Sequence, residues 1–178
     1  MKKMDALFKY WEDPNYVIVD SGQPDAIIEW LSKQTPETWH RVVMTWNYDQ
    51  EDKVLSWILN QDKCDKGTAA RVFDIEGLGH WLGDETLAKN PNHLCSIILN
   101  NWTRYGSDEF RHDPHDEKAI LKRVQESMAN GLYVGTPILD VVQYVGSRDA
   151  VSEFEAQDGK IVVAFEHWTK IKGIEITN

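Results

Sequence analysis

The apolar residues of this chain recur mainly at three- and four-residue intervals, the spacing of a helix with one buried face. Pro24 suits a first helical position, and Ile27, Ile28 and Leu31 follow it until Thr35-Pro36 closes one helix and opens the next. Thr35 is the expected N-cap. Trp39, Val42, Val43 and Trp46 then occupy i, i+3, i+4 and i+7, and Val54, Leu55, Ile58 and Leu59 repeat the pattern. Asp65 and Thr68 offer side-chain oxygens to the unpaired amides of a further helix carrying Ala69, Ala70, Val72 and Phe73. Glycines at 77, 79 and 83 interrupt it, and Leu94, Ile97, Ile98 and Trp102 form the next stripe. A helix from Asp113 to Met128 is expected, with Pro114 at its first position and Gly131 beyond its end, and Thr136-Pro137 opens a short one. A short amphipathic segment from Met4 to Trp11 precedes all of these.

The period changes towards the C-terminus. Phe154 and Ala156 alternate with polar residues, Asp158-Gly159 is a two-residue turn signal, and Ile161 to Phe165 is strand-like. The expectation is a β-hairpin, joined by Lys172–Thr177 and by Tyr16–Val19 in a small antiparallel sheet. The fold class expected is therefore α+β: a predominantly helical single domain over 1–178, with a helical body over about 1–146 and a hairpin region over about 150–177.

Charge and composition narrow the class of partner. Nineteen basic against 29 acidic side chains give a formal charge of -10, so nucleic acid and anionic membranes would be repelled. The opening Met1-Lys2-Lys3-Met4-Asp5 lacks the apolar run of a signal peptide, and no stretch approaches the apolar length of a spanning helix. A cytoplasmic location is the default expectation. Cys64 and Cys95 lack a Cys-x-x-Cys partner and are read as reduced, partly buried thiols.

A composite pattern emerges from Leu31, Pro36, His40, Asn47-Tyr48-Asp49, Ile58, Cys64-Asp65-Lys66-Gly67-Thr68-Ala69 and Phe73. With these residues the segment from about 28 to 73 resembles a bacterial family, the domain of unknown function 4274. The resemblance implies a mostly helical fold and no particular chemistry. The chain departs from that family at Tyr48-Asp49-Gln50, where members tend to carry Trp-Asp-Asp after the asparagine.

Several arrangements resemble active sites, and each has a structural explanation. His112 and His115 among Asp113, Asp116 and Glu117 have metal-ligand chemistry, but the same residues suit a helix start, where carboxylates complement the dipole. His93 beside Cys95 suggests a thiol with a basic partner, and Cys64 beside Asp65 would have a raised pKa. Gly77-Leu78-Gly79-His80-Trp81-Leu82-Gly83 has the glycines of a phosphate loop but follows a helix rather than a strand. Trp39, Trp46 and Trp57 are assigned to the core, while Trp81 and Trp168 are left between core and surface. No catalytic residue, cofactor or metal is assigned.

What stands out is acidity without recognisable chemistry. Asp49, Glu51 and Asp52, with Asp108 and Glu109, are the candidate partner-binding residues. The function expected is a non-enzymatic protein-binding domain, in its sharpest form an immunity protein neutralising a basic toxin or effector. The alternatives are an enzyme using His112, His115 or His167, and a scaffold or regulatory module that pairs through the hairpin edge.

Overall fold

The computed structural model describes residues 17–20, 24–44, 46, 52–76, 81–107, 110–112, 117–148, 164–165 and 168–171. In chain order the described elements are β1 (Val17–Asp20), α1 (Pro24–Leu31), α2 (Pro36–Met44), α3 (Lys53–Leu59), α4 (Lys66–Glu76), α5 (Glu85–Ala88), α6 (Leu94–Asn101), α7 (Glu117–Ala129), α8 (Ile138–Val142), β2 (Ala164–Phe165) and β3 (Trp168–Ile171).

Helix α4 is the axis of the body. Its residues Gly67 to Ala70 and Val72 to Ile75 are all buried, because α2, α6 and α8 each pack against it. A helix enclosed on several sides needs small residues where neighbours come closest, and Ala69 and Ala70 provide them. Around it α1 packs on α3, α3 on α6, and α7 on α8. The core joins Leu31, Val43, Leu55, Ile58, Leu59, Val72, Ile98, Val124 and Ile138, the positions that helical spacing selects.

Five tryptophans serve this core. Trp39, Trp46, Trp81 and Trp102 are buried, and Trp57 is half-buried with its ring edge-on to Trp39 at 5.6 Å. Trp39 also donates its indole N–H to the Leu31 carbonyl at 2.8 Å, closing the end of α1. Trp81 stacks on Tyr133 at 4.6 Å, and the Tyr133 hydroxyl donates to the Trp81 carbonyl while accepting from the Gly83 amide. Tyr133 holds this position at φ 58°, a left-handed conformation that costs a tyrosine roughly 1–2 kcal/mol and is held by those contacts.

Most helix boundaries follow the local signals. Thr35 accepts from the Thr38 amide at the start of α2, and Gly131 follows α7 with φ 84°. Thr68 departs from its expected capping role, because its hydroxyl is directed to His40 across the body.

The α+β class is corrected: the described body is helical. Every core residue identified among the described residues comes from a helix or from the connection between helices. The strand segments have four, two and four residues, with β3 pairing antiparallel to β1 and β2. A sheet of that size does not form a layer of its own, and layers define the class. The expected turn at Asp158-Gly159 and the strand at 161–163 lie outside the described residues, while β2 pairs antiparallel with β3, Phe165 opposite Trp168. The segments 4–11 and 172–177 also lie outside the described residues.

Candidate functional site

Two polar clusters occupy the two ends of α4. The first gathers around its N-terminus, where Asp65 and Thr68 are 0% and 1% exposed. One Asp65 oxygen, Oδ1, accepts from the Gly67 amide at 2.7 Å and from the Phe110 amide at 3.1 Å. The cap thus binds the helix start to a distant segment. Gly106 reinforces the junction, donating to the Cys64 carbonyl at 2.8 Å and accepting from the Lys66 amide at 3.1 Å. Gly67 is required by this approach, since a Cβ there would stand 1.8 Å from the Phe110 carbonyl oxygen.

His40 crosses from α2 to complete the cluster. Its Nε2 lies 3.0 Å from the Arg111 carbonyl oxygen, which only accepts, so Nε2 carries the hydrogen. Nδ1 is then an acceptor, and the Thr68 hydroxyl donates to it at 3.1 Å. Burial is the main influence on this ring and lowers its pKa to about 4, with the Arg111 carbonyl opposing. The imidazole is therefore neutral near pH 7. The Phe110 ring stacks on it at 5.0 Å and is covered from outside by the Arg148 guanidinium at 4.5 Å. Residues 34–94 match the family model described as Domain of unknown function (DUF4274).

Thus His40, Asp65, Gly67 and Thr68 lie inside the DUF4274 segment, while Gly106, Phe110, Arg111 and Arg148, which complete their contacts, lie outside it. No curated protein and no solved structure is significantly similar to the chain. The DUF4274 match agrees with the resemblance read over 28–73 and supplies no reaction.

The second cluster lies at the C-terminal end of α4, also inside the DUF4274 segment. Asp52 precedes α3, Glu76 is the last residue of α4, and His93 caps α6 by accepting from the Cys95 amide at 3.2 Å. Burial and then the Asp52 charge push the Glu76 carboxyl up to about 7. His93 is shifted down by burial, which outweighs the opposing pull of Asp52, so it supplies no full positive charge near pH 7. Lys53, adjacent to Asp52 in sequence, reaches instead to Asp25 at 2.7 Å. No cation of the described residues offsets the acidity at Glu76.

The remaining sequence candidates divide as follows. Asp52 is exposed; Asp49, Glu51, Asp108 and Glu109 lie outside the described residues. His112 is buried and its Nε2–H donates to the Tyr144 carbonyl at 2.6 Å, whereas His115, Asp113, Asp116 and His167 lie outside the described residues. Among the described residues no three metal-ligating side chains gather. Burial raises the Cys95 thiol well above its usual range, with Glu76 adding to the effect. Cys64 is raised for the same first reason and then by Asp65. Both cysteines are free and buried, in the state least suited to a nucleophile. Residues 77–80 of the glycine-rich stretch lie outside the described residues, while Trp81 and Leu82 are core.

A small cleft is lined by Ala70, Phe73, Asp74, Leu82, His112, Ile120, Val141 and Val142. Its carboxylate is engaged, since Asp74 accepts from Arg71 at 3.2 Å. No helix of the described residues is long and apolar enough to cross a membrane.

His40, Glu76 and Phe110 were not singled out as site residues by sequence reasoning. A signal existed for two of them. His40 follows Trp39 in an amphipathic helix that has to be buried, and Glu76 places a carboxylate at a helix C-terminus, against the dipole.

Proposed function

We propose that this protein is a non-enzymatic binding domain, and that the end of the body carrying Asp52 and Glu76 receives a cationic surface of another protein. The observation that carries this reading is the half-buried Glu76, placed beside Asp52 with no offsetting cation among the described residues. A lysine or arginine delivered by a partner would supply the missing charge, and the overall charge of -10 would speed the encounter. The sharpest form of the reading is an immunity protein of bacterial origin, acting in the cytoplasm on a basic toxin or effector. Asp49 and Glu51 adjoin Asp52 in sequence and extend the same acidic segment.

Co-expression with the product of the neighbouring gene tests this. The expected result is a stable complex and protection from that product's toxicity, with affinity falling about tenfold or more for Asp52→Lys and for Glu76→Lys. Absence of binding and of protection would overturn the immunity reading. Binding that both charge reversals leave unchanged would remove the acidic end from it.

A further inference from the structure

The loop between α7 and α8 takes a conformation that its sequence makes costly. Gly131, Tyr133 and Gly135 have φ of 84°, 58° and 77°, so alternate residues are left-handed and the middle one is not glycine. The loop is held by its own bonds. The Leu132 amide donates to the Ser127 carbonyl at 3.0 Å, and the Thr136 amide and hydroxyl both donate to the Tyr133 carbonyl, at 3.1 and 2.7 Å. While the Tyr133 ring is buried, the next side chain stands out in water: Val134 is 70% exposed, more than any other large apolar residue described. A lone exposed valine is ordinary on a protein surface. One fixed at the tip of a strained loop is not, because strain of this kind persists where a particular geometry is used.

This loop adjoins the acidic end of the body. The Tyr133 ring stacks on Trp81 at 4.6 Å, and Trp81 stacks on His93 at 6.1 Å. His93 caps α6 and feels the Asp52 charge, and Cys95 beside it feels both Glu76 and Asp52. Two ring contacts therefore join the neighbour of Val134 to the carboxylate end. We infer that Val134 is an apolar anchor of the same binding surface, and that the partner carries an apolar socket edged by lysine or arginine. The inference rests on the protein-binding reading above. Charge selects this occupant. The charged groups that act on Tyr133 are Asp84, exposed at the start of α5, and Arg123, whose guanidinium donates to the Leu82 carbonyl at 2.9 Å. An apolar centre within a charged rim is the ordinary anatomy of a protein interface, and a loop already held in place loses little freedom on binding.

The test measures affinity for the product of the neighbouring gene in wild type, Val134→Thr, Val134→Ile, Asp52→Lys and Glu76→Lys. Threonine keeps the shape and charge of valine and replaces a methyl by a hydroxyl, so it removes the apolar contact alone. Val134→Thr should bind about fivefold or more weakly and Val134→Ile within about twofold of wild type. Neither should lower the melting temperature, because the side chain is exposed. Raising the salt concentration should shrink the loss at Asp52→Lys and leave the loss at Val134→Thr unchanged. If Val134→Thr binds as tightly as wild type while the charge reversals weaken the complex, the anchor is overturned and the acidic end stands. Loss at Val134→Thr without loss at either charge reversal supports the anchor and removes the acidic end. A product that does not bind wild type overturns both.

Discussion

The two ends of α4 use an acidic residue in opposite ways. At the N-terminus Asp65 is wholly buried, accepts from two backbone amides, and lies where the helix dipole favours an oxygen acceptor. At the C-terminus Glu76 is half-buried beside another carboxylate, where the dipole is unfavourable. One end satisfies its polar group within the fold, and the other sets its carboxyl beside a second acid with a raised pKa.

The contrast can be broken most severely at Gly67. Gly67→Ala is expected to cost about 4 kcal/mol or to prevent folding, because the Phe110 carbonyl that a Cβ would meet is backbone and cannot swing aside. Denaturant titration measures the loss. A smaller effect comes with acid. His40 has a folded pKa near 4, below its ordinary value, so the unfolded chain binds the extra proton between about pH 6.5 and 4 and stability falls as pH drops through that window. The expected loss is about 3 kcal/mol, and a His40→Gln variant should show a flatter acid limb in the same titration.

Asp65→Ala strips the Gly67 and Phe110 amides of their acceptor and should cost about 2 kcal/mol, seen as a lower melting temperature. The smallest effect has the opposite sign. Glu76 has a raised folded pKa, so its contribution is fully favourable below the ordinary carboxylate range and is lost as pH rises through about 7. Partial exposure reduces the size of this effect. Glu76→Gln should therefore stabilise the protein by about 1 kcal/mol at pH 8 and leave it unchanged at pH 4. Equal responses at the two ends of the helix would erase the distinction between them.

The helical body was legible because its residues obey one period: Val54, Leu55, Ile58 and Leu59 are buried where 3.6-residue spacing places them. Asp65 was legible as a cap for the same kind of reason, a local geometry carried by a local residue. Thr68 was misread because its partner, His40, lies 28 positions away and no local rule connects the two. The link from Asp65 to Phe110 spans 45 positions and is equally invisible to periodicity. The C-terminal run carries alternation and a turn signal, but the described strand segments of four, two and four residues are too short to form a layer. The acidic segment is visible as composition, whereas the placement of Glu76 where the Asp52 charge acts on it depends on how two helix ends meet.

The hydrogen on His40 Nε2 provides a clock for the 110–112 stretch. It lies between the ring and the Arg111 carbonyl, under a phenylalanine that is almost fully covered, so solvent reaches it only when that stretch lifts. Its rate of replacement by deuterium therefore reports the opening equilibrium of this one segment, separately from unfolding of the body.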